Sequence, residues 1–88
     1  MIKIKLSNYD KNLEMITMKE ELLNDVRFTG YAVQFNGDGV LQIEGDHFII
    51  EYEFHQYWLY AKDEVGGIVY IDQFDKLDDV LEAAQLVY

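Results

Sequence analysis

Hydrophobic and polar residues alternate through the middle of the chain, a pattern that predicts strands with one buried face. Three such runs cover residues 31–35, 41–43 and 48–54, and short glycine-containing turns separate them. Directly opposed residues of antiparallel strands lie on the same face, so the pairing must bring the apolar sets together. A two-residue Gly45-Asp46 turn, which pairs Ile43 with Phe48, meets this condition.

The turn between the first two runs follows from the same condition. An Asn-Gly sequence alone favours a two-residue turn, but that turn would put the apolar residues of the first run on the wrong face. A three-residue turn over 36–38, with Gly39 as a left-handed bulge residue, pairs Val33 with Leu41 and Tyr31 with Ile43. We therefore expect three strands with one shared core face, with Phe48, Ile50, Tyr52 and Phe54 in that core.

Two further strands, residues 57–61 and 68–72, flank a charged loop that ends in two glycines. Both strands are apolar on both faces. Tyr57 and Leu59 alternate with Trp58 and Tyr60 in the first of them. Such strands are either covered on both sides or present one face to a partner, and both explanations stay open.

The two ends of the chain complete the predicted architecture. Alternation over residues 2–6 predicts one more short strand, and a polar loop follows to residue 12. A helix is expected from Leu13 to about Asp25. The capping-box spacing of Thr17 and Glu20 would start it at Thr17, whereas an apolar period allows an earlier start: Met15, Met18, Leu22 and Val26.

A second helix is predicted at the C-terminus. Asp75 is its expected N-cap, and it has an apolar stripe: Leu77, Val80, Leu81, Ala84 and Val87. Strands in a run, rather than alternating with helices, indicate an α+β fold. We expect one domain over residues 1–88, with a mainly antiparallel sheet of five or six strands that carries an N-terminal-region helix and a C-terminal helix.

The charge is distributed unevenly along the chain. Seventeen acids and seven bases give a formal net charge of −10. The first thirty residues are balanced, whereas residues 31–88 contain only Lys62 and Lys76 as bases. Such a chain is a poor ligand for nucleic acid or for an anionic membrane, so neither is an expected partner. A folded negative surface suits a basic protein, although solubility alone would also explain the charge.

Candidate chemistry is sparse. The chain has no cysteine, which excludes thiolate metal sites and disulfides, and Ser7 has no nucleophile-elbow context. His47 and His55 share a face with two glutamates, but eight residues of strand separate them by roughly 26 Å. We therefore expect no catalytic residue, no metal site and no cofactor.

Two surfaces are candidates for binding a partner. The first is acidic, formed by strand residues Glu44, Glu51 and Glu53 together with loop residues Asp63 and Glu64. The second is aromatic and contains Trp58 and Tyr60, because Trp and Tyr are favoured at interface hot spots. Which of the two surfaces binds stays open at this point.

In size, charge and lack of cysteine the chain resembles the small acidic proteins that phages use against host defence, including DNA-mimicking inhibitors of nucleases. The resemblance implies a cytoplasmic inhibitor of the anti-defence, anti-CRISPR or DNA-mimic class, whose partner is a basic nuclease or other nucleic-acid enzyme. The alternative is a small intracellular interaction or immunity-type protein without catalysis, as a monomer or a homodimer.

Overall fold

The protein has an α+β fold. The computed structural model describes the backbone of residues 2–87 and the side chains of residues 13–87. Helix α1 (Ile2–Asn24) is followed by a short 3-10 helix (Val26–Phe28), and helix α2 (Leu77–Ala84) follows the last strand. The strands between them are β1 (Ala32–Phe35), β2 (Leu41–Glu44), β3 (Phe48–Glu53), β4 (Gln56–Lys62) and β5 (Ile68–Phe74). The expected fold class is confirmed, with five strands.

The strands form one antiparallel sheet in the order β1-β2-β3-β4-β5, so each strand pairs with its neighbour in the sequence. One face of the sheet, here called the core face, packs against α2 and against the described part of α1. Its most deeply buried residues are Leu41, Ile50, Leu59 and, from α2, Val80. The alternation in the sequence therefore identifies the core face correctly.

Both predicted registers are wrong by two residues, although the faces are right. Ile43 pairs with Ile50 and not with Phe48. The turn consists of residues 46 and 47, and the Gly45 N–H donates to the Phe48 carbonyl at 3.0 Å. A Cβ on Gly45 would lie 2.5 Å from the Phe48 ring. Glycine in the ladder thus makes room for that ring, which explains why the turn lies one residue later.

The β1–β2 hairpin shows the same displacement. Val33 pairs with Ile43 instead of Leu41. Gly39 is left-handed as predicted, with φ 80°. The Asn36 side chain accepts hydrogen bonds from two backbone N–H groups of the turn, at 2.9 and 3.0 Å. Asn36, the residue directly after β1, therefore closes the turn with its side chain and is not one of the central turn residues. A shift of two residues keeps every side chain on its face.

The helix predicted from Leu13 to about Asp25 is present, but the strand and the loop predicted before it are wrong. Residues 2–12, expected as a strand and a loop, belong to α1, and Thr17 lies inside this helix and not at its start. The apolar positions Ile2, Leu6, Tyr9 and Leu13 are spaced by four, three and four, which also fits the helical period. A three-residue alternation is too short to distinguish the two periods.

The end of α1 also differs from the prediction. The helix ends at Asn24, and Val26 is 83% exposed in the 3-10 helix, so it does not continue the apolar stripe. Phe28, 3% exposed, fills the core in its place. Asp25 caps this short helix by accepting the Arg27 N–H at 2.9 Å. The local side-chain bond to the backbone competes with the α-helix and ends it.

The N-cap of helix α2 lies one residue later than predicted. Lys76 is the N-cap residue and forms no side-chain capping bond, while Asp75 accepts a hydrogen bond from the Gln56 carboxamide at 3.3 Å. A residue outside the helix, Arg27, stabilises the first turn of α2 instead. The Arg27 guanidinium contacts Asp78 at 2.7 Å and Asp25 at 2.8 Å. No helix within residues 2–87 is long and apolar enough to span a membrane.

Candidate protein-binding face

The face of the sheet opposite the core, here called the open face, combines acids with aromatic residues. Strand pairing sets its composition, because Glu51 lies opposite Trp58 and Ile49 opposite Tyr60. The β4–β5 ladder adds Tyr70 opposite Tyr60. Within the residues with described side chains, both helices pack on the core face, so this face is directed away from them.

Three aromatic side chains form a cluster on the open face. The Tyr70 ring lies 6.0 Å from the Trp58 ring and 5.9 Å from the Tyr60 ring, centroid to centroid. The Trp58 indole donates to the Glu53 carbonyl oxygen at 3.0 Å, which fixes the orientation of that ring. Tyr70 was missed as a site residue, although its position in an alternating strand next to Tyr60 could have revealed it.

Glu51 and Glu53 are the carboxylates beside this cluster. Glu51 accepts a hydrogen bond from the Asn36 carboxamide at 3.1 Å, and Glu53 is exposed. Neither is in an ion pair with a base among residues 13–87. Among these residues, both charges are therefore unpaired and able to attract a cation from outside.

The phenol of Tyr60 senses these two charges. Burial raises its pKa above the ordinary tyrosine value, and the negative charges of Glu51 and Glu53 raise it further. The phenol is protonated at neutral pH like that of any tyrosine, and the raised pKa extends this state further into the alkaline range. The hydroxyl can therefore donate a hydrogen bond to a partner.

Glu44 lies on the open face but is neutralised. Lys62 contacts its carboxylate at 2.7 Å and also donates to the Gly45 carbonyl at 3.0 Å. The two predicted loop acids lie near this pair, along a shallow groove at the β4–β5 loop end of the sheet. Asp63 accepts from the N–H groups of Val65 and Gly67 and so organises the loop, while Glu64 is exposed. The five predicted acids thus form two groups, with Glu51 and Glu53 apart from the other three.

The acidic and aromatic surfaces, which the sequence leaves as alternatives, are one surface where Glu51 and Glu53 lie beside Trp58 and Tyr60. They merge because β3 ends at Glu53 and a two-residue turn, Phe54 and His55, leads directly into β4. Because of this turn, odd-numbered residues of β3 lie opposite even-numbered residues of β4 and point to the same side of the sheet. The strand boundary was misplaced because the alternation continues to Phe54, which was expected in the core but is 77% exposed.

The two histidines lie far from each other along the fold. His47 is in the β2–β3 turn and His55 in the β3–β4 turn, at opposite ends of β3. Among the described residues, no three His, Asp or Glu side chains are grouped so that they could hold a metal ion. The geometry provides a surface with free negative charge and aromatic contact area.

Comparison with known proteins adds a family and a relative. The model of a family of unknown function, DUF5495, matches residues 18–88. The chain belongs to this family. It is also similar to a protein of Enterobacteria phage T4 described as "Uncharacterized 9.8 kDa protein in Gp55-nrdG intergenic region", with 55% identity over 71 residues that cover 80% of this chain and 79% of the relative. No solved structure matches. The resemblance to small phage proteins is confirmed at this level.

Proposed function

We propose that the protein is a non-catalytic inhibitor that binds a basic nucleic-acid enzyme through the open face, in the manner of a DNA mimic. The observation that carries the proposal is the pair Glu51 and Glu53, which is free of bases in the described structure and lies beside the aromatic cluster. The partner is a nuclease or another host-defence enzyme, including a CRISPR effector, and the encounter takes place in the cytoplasm.

The two carboxylates present negative charge at a fixed spacing. Alternate residues of one strand point to the same side and lie roughly 6.6 Å apart along it. Lys and Arg side chains that bind phosphates can bind such carboxylates equally well, because both are oxyanions that accept charge-assisted hydrogen bonds. A surface of this kind competes with the nucleic acid for the same basic groove.

The aromatic cluster supplies the contact area that the charges alone do not provide. Electrostatic attraction mainly speeds association and selects the partner, whereas slow dissociation needs well-packed contact area. Trp58 and Tyr60 are partly exposed and belong to the residue types enriched at interface hot spots. Their position beside the free carboxylates supports one binding surface that uses both effects.

The test is capture from a bacterial lysate by the immobilised protein, at low and at moderate salt, with mass spectrometry of the retained proteins. A retained nucleic-acid enzyme is then purified and assayed for activity with and without the protein. We expect inhibition, competition by double-stranded DNA, and weaker capture at the higher salt because screening reduces attraction between opposite charges.

A matched pair of charge reversals assigns the site. The double change Glu51→Lys and Glu53→Lys should abolish capture. The change Glu20→Lys with Glu21→Lys alters the net charge equally on exposed positions of α1 and should leave specific capture in place. Equal loss with both variants would reduce the effect to net charge, and unaltered capture by the first variant would refute the role of the open face.

A further inference from the structure

The β3–β4 turn has both of its central residues in a conformation that side chains disfavour. Phe54 has φ 56° and His55 has φ 61°, in the left-handed region where a bulky residue such as phenylalanine is an outlier. Strained residues of this kind cluster at functional sites. Because Phe54 is 77% exposed, burial of its ring does little to offset the strain within the fold. The turn therefore has the properties of a binding element.

A cleft of about 390 Å³ lies between this turn and α1. Met15, Tyr52 and Phe54 line it with apolar surface. Met15 and Tyr52 pack against the core, and the Tyr52 ring lies 4.8 Å from the ring of Tyr57, centroid to centroid, so this part of the cleft is fixed in place. Ligand sites have volumes of roughly 300–1,000 Å³. A cleft at the low end of this range suits one side chain better than an extended ligand.

Two carboxylates also line the cleft. Glu14 comes from α1 and Glu53 from the end of β3, and both residues are exposed. Neither is in an ion pair with a base among residues 13–87. Within the same residues, no Lys or Arg cation lies over the Phe54 ring. In the described part of the chain, the cleft thus combines unpaired negative charge with an aromatic ring and apolar surface.

We propose that the cleft binds an arginine side chain of the basic partner, with the guanidinium against the Phe54 ring and beside the carboxylates of Glu53 and Glu14. The inference rests on the proposed function, since Glu53 belongs to both the open face and the cleft. The negative charge of the cleft selects a base as the occupant. The binding surface then extends from the open face, around the β3–β4 turn, to α1.

Arginine fits this cleft better than lysine does. Its planar guanidinium stacks on aromatic faces and forms paired hydrogen bonds with carboxylates. Its methylene groups can lie along Met15 and Tyr52, as the stems of long charged side chains do on apolar surface. An Asn-Gly sequence would suit the backbone of the turn better, but it would leave the cleft without the aromatic ring of Phe54. Arginine binding therefore accounts for a strained and exposed aromatic residue at this position.

Titration followed by NMR tests the cleft without a partner protein. The probes are N-acetylarginine amide and N-acetyllysine amide, which carry the same single positive charge, so general attraction to the acidic protein is equal for both. We expect saturable shifts of the backbone amide signals of residues 14–15 and 52–55 with the arginine probe. Its affinity should be roughly threefold higher than that of the lysine probe, the effect of one exposed cation–π contact. Equal affinities, or shifts spread over the whole acidic surface, would overturn the proposal.

Substitutions separate the effect of the ring from that of the charge. Phe54→Leu keeps an apolar side chain but removes the ring, so the preference for arginine should vanish. Glu14→Gln should weaken the binding of both probes, whereas Glu20→Gln, at an exposed position of α1 outside the cleft, should leave both unchanged. Phe54→Asn with His55→Gly should abolish the preference while raising the melting temperature, a combination that a merely structural role of Phe54 would not produce. A preference for arginine that survives Phe54→Leu would refute stacking on this ring.

Capture of the partner tests the same contact in the complex. Phe54→Leu and Glu14→Gln should each weaken retention of the captured enzyme, and Glu20→Gln should not. If both cleft variants retain the enzyme as well as the unsubstituted protein does, the inference is wrong, while the proposed function, which depends on Glu51 and Glu53, stands. If no nucleic-acid enzyme is captured at all, the proposed function is wrong, and the NMR titration still shows whether the cleft binds a guanidinium.

Discussion

Glu51 on β3 lies directly opposite Trp58 on β4, so a carboxylate and an indole ring occupy neighbouring positions on the open face. The pairing of these strands combines carboxylates, which attract cations, with aromatic rings, which provide contact area, on one surface. Free charge keeps an exposed aromatic cluster from non-specific association, because the copies repel each other. The same charge would attract the basic partner that we propose.

The two faces of β3 should respond very differently to charge. Ile50 is 1% exposed and lies opposite Leu59, which is 0% exposed. Ile50→Asp buries an unpaired carboxylate and should unfold the domain, because its cost approaches the ~5 kcal/mol stability typical of a small domain. The neighbouring change Glu51→Lys should alter stability by only about 0.5 kcal/mol. Urea denaturation followed by circular dichroism measures both, and similar midpoints for the two variants would contradict the assignment of faces.

The β3–β4 turn should be a site of stored strain. Phe54 and His55 have φ 56° and 61°, a left-handed conformation that side chains disfavour. Type I′ turns need positive φ at both central residues and favour Asn-Gly. The double change Phe54→Asn with His55→Gly should therefore raise the free energy of unfolding by about 1 kcal/mol, because it relieves this backbone strain.

The opposite change provides the control for that turn. Gly39 is left-handed at φ 80°, so Gly39→Ala should lower the free energy of unfolding by about 1 kcal/mol. Thermal melts of both variants test the pair of expectations. A lower melting temperature for the Asn-Gly variant would mean that the Phe54 side chain stabilises the fold by contacts that outweigh the backbone strain.

The faces of the sheet could be predicted from the sequence, whereas the registers could not. Alternation identifies which side of each strand is buried, and any even displacement of the pairing preserves this result. The correct register depends on two contacts at the turns. The Phe48 ring packs over Gly45, and the Asn36 side chain accepts a hydrogen bond that closes its turn. Neither contact has a signal in the hydrophobic pattern.

The candidate site was predicted residue by residue but not as one surface. Glu51, Glu53, Trp58 and Tyr60 were singled out, yet the acids and the aromatics were assigned to alternative faces. They share a face because β3 ends at Glu53. Phe54 fits the apolar alternation of the sequence, but it lies in a left-handed turn and not in the strand. The first part of α1, residues 2–12, was predicted as a strand and a loop because its apolar residues fit two periods.

The histidines should have no role in binding zinc. His47 and His55 lie in different turns at the two ends of β3. A ligand that binds only the native state must raise its stability, so melting curves with and without zinc are a direct measurement. We expect His47→Asn and His55→Asn to match the unsubstituted protein in added zinc. A zinc-dependent rise in melting temperature that either change abolishes would establish a metal site.

Tyr60 should report the two free carboxylates in solution. Burial and the charges of Glu51 and Glu53 raise its pKa, above the ordinary value of about 10. A group whose pKa is higher in the folded state stabilises the fold fully below its unfolded pKa, and this contribution is lost as the pH rises through the folded pKa. The stability of the protein should therefore decline in the alkaline range above about pH 10.

Phenolate absorbance, taken as the difference between the unsubstituted protein and Tyr60→Phe, isolates this residue from the other tyrosines. Glu51→Gln with Glu53→Gln should lower the pKa of Tyr60 part of the way, since burial remains, while Glu20→Gln with Glu21→Gln should leave it unchanged. An identical titration in all three backgrounds would show that the carboxylates of the open face do not act on the aromatic cluster.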